Sequence, residues 1–183
     1  NYYVEASKEG KSPAEIMAMI HYRGRDHGRT PMQWDDSENA GFTTGKAWIK
    51  INPNYKEINV KNNLNKEDSI LNYYKKLIRI RKNNLTLIYG DYKPLMEDDE
   101  NIFAYLRTLD KDTIAVILNF SGNEYNFSMP DNINYEKAEL LIGNYSIDPI
   151  EKDTAIINNI RLKPYEARVY RLLGSVRFGI KHQ

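Results

Sequence analysis

At 183 residues the chain can hold one or two domains with a real core, and its 41% hydrophobic and 28% charged residues suit a globular protein rather than a disordered or fibrous one. Lys and Arg number 26 against 25 acidic residues, so a net charge of +1 supplies no global attraction to nucleic acid or anionic membrane. Zero cysteines exclude disulfides, thiolate catalysis and Cys-ligated zinc, and no apolar run reaches bilayer-spanning length.

Residues 2–6 read as a helical turn, broken at Gly10. Ser12-Pro13-Ala14-Glu15 is a stronger helix start: Ser12 can cap, Pro13 suits the first helical position and Glu15 can close a capping box. Ile16, Met17, Met19 and Ile20 then lay an apolar stripe on one side. Such a stripe is expected to face a core rather than form a Met-rich partner groove.

Residues 23–34 read Arg23-Gly24-Arg25-Asp26-His27-Gly28-Arg29-Thr30-Pro31-Met32-Gln33-Trp34, continued by Asn39-Ala40-Gly41-Phe42-Thr43-Thr44-Gly45 and Asn52-Pro53-Asn54-Tyr55-Lys56-Glu57-Ile58-Asn59. The glycines and prolines forbid a long helix or central strand, which predicts a long loop. Loops of that length are usually functional or disordered. Met32, Trp34, Phe42, Trp48, Ile49 and Ile51 argue for order, through apolar surface available for burial.

The next regular element is a helix over residues 67–83, with Asn65 as its expected cap and Glu67 and Asp68 at the positive end of its dipole. Ile70, Leu71, Tyr74, Leu77, Ile78 and Arg81 recur at three- and four-residue steps. The basic residues of its second half suit the helix C-terminus, and no nucleic-acid motif accompanies them.

Beyond Asn83-Asn84 the pattern alternates. Residues 92–96, 102–109, 113–120, 125–128, 139–145, 155–157 and 167–172 read as short strands, separated by turn clusters at 110–112, 121–123 and 130–132. Their spacing predicts an antiparallel sandwich, with the nearly all-apolar 113–120 as a central strand buried on both faces. The domain boundary is expected near Tyr89-Gly90-Asp91.

The segments 24–34, 39–45 and 52–59 together resemble the C-terminal part of oligo-1,6-glucosidase and its relatives. These are α-glucosidases of the α-amylase superfamily, which includes trehalose-6-phosphate hydrolases, dextran glucosidases and sucrose isomerases. The resemblance runs to about Leu172. It implies an α+β fragment: residues 1–90 would be the C-terminal end of a TIM-type (β/α) barrel, with a substrate-side loop and the last barrel helix. Residues 91–172 would be an all-β antiparallel sandwich domain, and 173–183 match nothing in the family. The chain opens at Asn1 without an initiator Met, which suits a piece of a longer protein.

TIM-barrel active sites are built from strand-to-helix loops, and the resemblance makes 23–34 such a loop. An arginine of this motif in related glucosidases helps close the glucose pocket, where a planar, always-charged fork can hold a carboxylate and donate to sugar hydroxyls together. Arg29 is the favoured candidate. Arg25 stands between pocket contact and a loop-stabilising ion pair with Asp26, and spacing does not choose between them. Trp34 reads as a packing anchor rather than a sugar platform. His27 is not expected to act as a general base.

Retaining glycosidases need a nucleophilic carboxylate and an acid/base carboxylate flanking the bond. The resemblance places the family's carboxylates on barrel strands ahead of Asn1. The acidic clusters Asp35-Asp36 and Glu97-Asp98-Asp99-Glu100 read as a loop and a solvated turn. The expectation is therefore a cytoplasmic α-glucosidase acting on terminal α-1,6 or related bonds of short oligosaccharides. In it this chain holds no catalytic residue, metal or cofactor, needs the missing N-terminal barrel portion, and is inactive alone. The alternative is a non-catalytic carbohydrate-binding or structural β-module, for which an exposed row among Tyr92, Tyr105, Tyr125, Tyr135 and Tyr145 would favour sugar binding.

Overall fold

The computed structural model describes residues 2–25, 28–146 and 157–179. The chain divides into two compact units, Asn1–Asn72 and Tyr73–Gln183.

In the first unit, α1 (Tyr2–Lys8) packs on α2 (Pro13–Arg23), burying Ala6 and Ile16. The Ser12 hydroxyl accepts the Glu15 N–H at 3.3 Å and the Ser12 N–H donates to the Glu15 carboxylate at 2.9 Å, closing the capping box. The apolar stripe of α2 is buried at Ile16, whereas Met17 stands exposed. The reason is reach: α1 has seven residues and covers little of its neighbour. Residues 30–59 contain no strand and are punctuated by 3-10 turns at Glu38–Gly41 and Pro53–Lys56, after which α3 (Val60–Leu64) follows.

The helix expected from residue 67 is α4 (Ile70–Lys82) and starts three residues later. Its cap is Ser69, whose hydroxyl accepts the Asn72 N–H at 3.2 Å, and not Asn65, which closes α3. The Asn72 side chain donates to the carbonyls of Asn63, Leu64 and Lys66, so the residues between the helices are folded into a turn that satisfies the end of α3.

The second unit is built on a five-stranded sheet in the order β1-β2-β3-β8-β6, antiparallel throughout. Its strands are β1 (Asp91–Leu95), β2 (Ile102–Leu109), β3 (Asp112–Asn119), β6 (Lys137–Gly143) and β8 (Ala167–Leu173). A second layer holds two pairs: β4 (Tyr125–Phe127) with β7 (Ile160–Leu162), and β5 (Ile133–Asn134) with β9 (Arg177–Phe178). One face of the large sheet, including Ala104, Leu106, Ile117 and Tyr170, packs against Phe127, Ile133 and Leu162 of the second layer.

The opposite face presents Ile114, Val116, Ile142 and Val169 to Tyr73, Leu77 and Ile80 of α4 and Leu87 of α5 (Leu85–Tyr89). Strand β3, third of five, is therefore covered on both sides, as its unbroken apolar run requires. Gly90 makes the close turn from α5 into β1, because a side chain there would meet the carbonyl oxygens of Thr86 and Thr108.

The strand expected at 155–157 falls largely outside the described residues. Residues 155 and 156 lie outside the described residues, Ile157 is buried without strand pairing, and the strand in this region is β7. The tail unmatched in sequence contributes β9, whose partner β5 was too short to register as a periodic run.

Candidate functional site

Residues 24, 25 and 28–33 follow α2 without a strand. Arg25 and Arg29 are both exposed, and the Arg25 carbonyl accepts the Gly28 N–H at 3.0 Å. Neither guanidinium has a hydrogen-bond or ion-pair partner among the described residues. Asp26 and His27 lie outside those residues.

Downstream the backbone is tightly accounted for. The first three N–H groups of α3 have no intrahelical acceptor. Val60 donates to the Gln33 carbonyl at 2.9 Å, Lys61 to the Trp34 carbonyl at 3.0 Å, and Asn62 to the Asn59 side chain at 2.8 Å. Gln33 also works from its other end, its amide nitrogen donating to Asn54 Oδ1 at 3.0 Å and to the Ile58 carbonyl at 2.5 Å. Trp34 and Asp35 then donate their N–H groups to the Ala40 carbonyl at 2.9 and 3.3 Å.

This polar stapling, rather than ring burial, orders the loop. The rings expected to anchor it are largely open: Trp34 is 50%, Phe42 49% and Trp48 93% exposed, while Pro31, Ala40 and Asn59 are the buried positions. Asn39 and Ala40 both take left-handed backbone, at φ 54° and 57°, to turn the chain back on Trp34.

The carboxylates here are committed. Asp35 Oδ1 accepts the Ser37 hydroxyl and its N–H, which hold this carboxyl below the ordinary aspartate range. Asp36 is lowered by its own backbone N–H and then by Lys61, whose Nζ lies 3.2 Å away, while Lys56 Nζ donates to the Asp36 carbonyl at 2.8 Å. Both shifts run opposite to what a general acid needs. In the second unit Asp99 organises its turn, accepting the N–H groups of Asn101 and Ile102 and the Tyr125 hydroxyl. Among the described residues no group of three or more His, Asp or Glu is arranged to hold a metal ion.

Beside the loop, Glu38, Asn39, Gly45, Lys46, Ile49 and Lys50 help line an open cavity of about 470 Å³. The five tyrosines weighed for a sugar platform do not form one row. Tyr125 and Tyr135 pack on the inter-layer core, the Tyr135 hydroxyl accepting the Ile157 N–H, and the Tyr145 hydroxyl donates to the Pro164 carbonyl. Tyr92 and Tyr105 do meet, 5.2 Å between centroids, and continue through Phe103 to Phe120. Phe103 and Phe120 also border a cavity of about 410 Å³ with Asp99, Glu100 and Asn101.

Sequence reading singled out the arginines of the loop and passed over Gln33, Asn54 and Lys61, which bond across more than twenty residues of the chain. The Asn59 cap was the one legible signal, being an Asn just before Val60.

Residues 2–90 match the model of the α-amylase catalytic domain, and residues 102–169 that of the SusG C-terminal domain of α-amylases. The chain belongs to the α-amylase superfamily. The oligo-1,6-glucosidase of Parageobacillus thermoglucosidasius is 51% identical over 173 residues, covering 94% of this chain and 30% of that enzyme. The Bacillus cereus oligo-1,6-glucosidase is 49% identical over 175 residues, with the same coverage of 94% and 30%. The crystal structure of Bacillus licheniformis trehalose-6-phosphate hydrolase superposes with a TM-score of 0.80 at 41% identity, over 95% of this chain and 31% of that one. The chain thus spans about 30% of the length of the curated relatives it matches. Among the described residues no helix is long and apolar enough to cross a membrane.

Proposed function

We propose that this chain is the C-terminal part of a retaining α-glucosidase that removes terminal glucose from short oligosaccharides linked by α-1,6 or related bonds. Arg29, with Arg25 beside it, forms a wall of the glucose pocket, and Asp26 and Trp34 support the loop. The observation that carries this reading is the contrast within one loop. Residues 33–36 have their polar groups held by Ser37, Ala40 and the segment 54–61, whereas the exposed guanidiniums of Arg25 and Arg29 have no partner among the described residues. A planar fork left available in that way suits an oligosaccharide hydroxyl together with a carboxylate.

The nucleophile and the acid/base carboxylate come, in this reading, from the N-terminal barrel portion, so the 183-residue chain by itself is inactive. The lowered pKa of Asp35 and of Asp36 agrees with that assignment for the acid, since a carboxyl held ionised does not suit proton donation to a leaving group. The reading places the enzyme in the cytoplasm, testable by fractionation with an antibody to the β-domain.

The decisive assay compares this chain with a polypeptide extended through the upstream barrel, on a chromogenic α-glucoside. Activity is expected in the extended protein alone, and Arg29→Ala in it is expected to raise KM by about tenfold. Activity in the 183-residue chain would overturn the assignment of the carboxylates, and an unchanged KM in Arg29→Ala would overturn that of the pocket wall.

A second reading, a carbohydrate-binding or structural β-module, draws on the Tyr92–Tyr105–Phe103–Phe120 strip. Inactivity of both polypeptides, together with glucan binding lost in Phe103→Ala, would favour it.

A further inference from the structure

The arginines of the loop act through a guanidinium whose position must be held, yet the sequence before Gln33 has few means of holding it. Residues 30–32 have no regular secondary structure and no backbone hydrogen bond to a neighbouring element among the described residues. What stiffens them is Pro31, buried, which fixes its own φ and restricts Thr30 to extended backbone. A stiff segment transmits the placement of its far end. That end is Gln33, where the chain first acquires partners in both directions.

Gln33 is tied at three points. Its carbonyl accepts from Val60, the first residue of α3, and its side-chain amide spans Asn54 Oδ1 and the Ile58 carbonyl. The adjacent Trp34 carbonyl accepts from Lys61, and two residues on Asp36 is gripped by Lys56 and Lys61. One residue therefore joins the arginine-bearing segment, the 3-10 turn at Pro53–Lys56 and the start of α3, its side chain reaching the turn and its carbonyl the helix. The two N–H groups of the amide nitrogen match these two acceptors. A Leu would leave Asn54 Oδ1 and the Ile58 carbonyl without that donor, and a Glu would set a carboxylate against them.

We infer that Gln33 is a positioning residue for Arg29, acting through the Pro31-containing stretch that joins them by fixing its register on α3. The inference rests on the pocket-wall reading of Arg29. Gln33 does not itself touch substrate, so its removal weakens ground-state and transition-state binding together and spares the chemical step.

The test uses the complete α-glucosidase, upstream barrel included, and a chromogenic α-glucoside. Gln33→Leu is expected to raise KM by about tenfold with kcat within about threefold of wild type, the size of effect that misplacing a binding group produces. A double variant with Arg29→Ala should be no worse than Arg29→Ala alone, because both changes remove the same contact. Wild-type KM and kcat in Gln33→Leu, or effects of the two substitutions that simply multiply, would overturn the inference. Arg29→Ala by itself reports on the pocket-wall reading, so the two failures are told apart. Should Gln33→Leu not accumulate as folded protein, Gln33→Glu, which keeps the shape, carries the same comparison with the same outcomes.

Discussion

Arg168 Nε donates to the Glu166 carboxylate at 2.7 Å, with the two side chains only 3% and 1% exposed. Burial opposes the charge on the guanidinium, but the hydrogen bonds to Glu166 and Tyr170 outweigh it and raise the Arg168 pKa. The second Glu166 oxygen accepts the Lys163 N–H at 2.7 Å, and Arg168 Nη2 donates to the Arg161 carbonyl at 3.2 Å. The pair thus straps the turn between β7 and β8. Removing one member strands a buried charge, and Glu166→Ala is expected to cost about 3–5 kcal/mol. Glu166→Gln, which keeps an acceptor for Lys163, should cost less. Urea unfolding of the 183-residue chain measures both, and equal losses would show that the carboxylate charge, not the acceptor for Lys163, carries the whole effect.

The hydrogen bond from Tyr125 to Asp99 sets a pH window. It is the first cause lowering the Asp99 pKa and the first cause raising that of Tyr125. A lowered carboxyl contributes stability present above the ordinary value of 3.8 and lost as pH falls through the folded value. A raised phenol contributes stability present below 10.0 and lost as pH rises through the folded value. Tyr125→Phe should therefore lower stability by roughly 1 kcal/mol near neutrality and flatten both limbs. A melting-temperature series across pH checks this, and parallel curves for wild type and variant would refute it.

Ala40 sits fully buried at φ 57°. Left-handed backbone costs an L-residue about 1–2 kcal/mol, which Ala40→Gly would relieve while losing a buried methyl worth about 0.8 kcal/mol. The two nearly cancel, and a change within about 1 kcal/mol is expected. Ala40→Val adds a branched side chain to the same strained backbone and should cost more than about 2 kcal/mol. Thermal melts of the pair would separate the effects, and a neutral Val would mean that the turn can rearrange.

Helix α4 offers a contrast between adjacent residues. Leu77 packs on Ile114, Val116, Ile142 and Val169, while Ile78 is 42% exposed. Leu77→Ala should cost about 2 kcal/mol in this chain and Ile78→Ala less than about 1 kcal/mol, as burial dictates. Chemical denaturation gives the comparison directly. A reversed order would mean that the helix packs through a different face.

Periodicity found the sheet strands well where they were long. The apolar run of β3 announced a strand covered on both faces, and β2 came out at the boundaries its alternation implied. It failed on short pieces: β5 and β9 have two residues each, too few to show a period, and exist because they pair with each other. It also misplaced the start of α4, since Asn65 and Ser69 are both good caps and the choice was made by the Asn72 side chain reaching back to the end of α3.

The loop divides in the same way. Residue identity alone determined that 23–34 could not hold a long helix or a central strand, that Pro13 and Ser12 begin a helix, and that the chain resembles one superfamily over most of its length, because these depend on backbone chemistry and on strings of adjacent residues. Tertiary structure decided what holds the loop. The Gln33 amide meets the Ile58 carbonyl across 25 positions and Lys61 meets Asp36 across another 25, bonds that exist only once the chain has turned at Ala40 and again at Pro53–Lys56. Rings that looked like anchors stand largely exposed in this chain, because hydrophobicity in a sequence says what can be buried, not what a neighbouring element will reach.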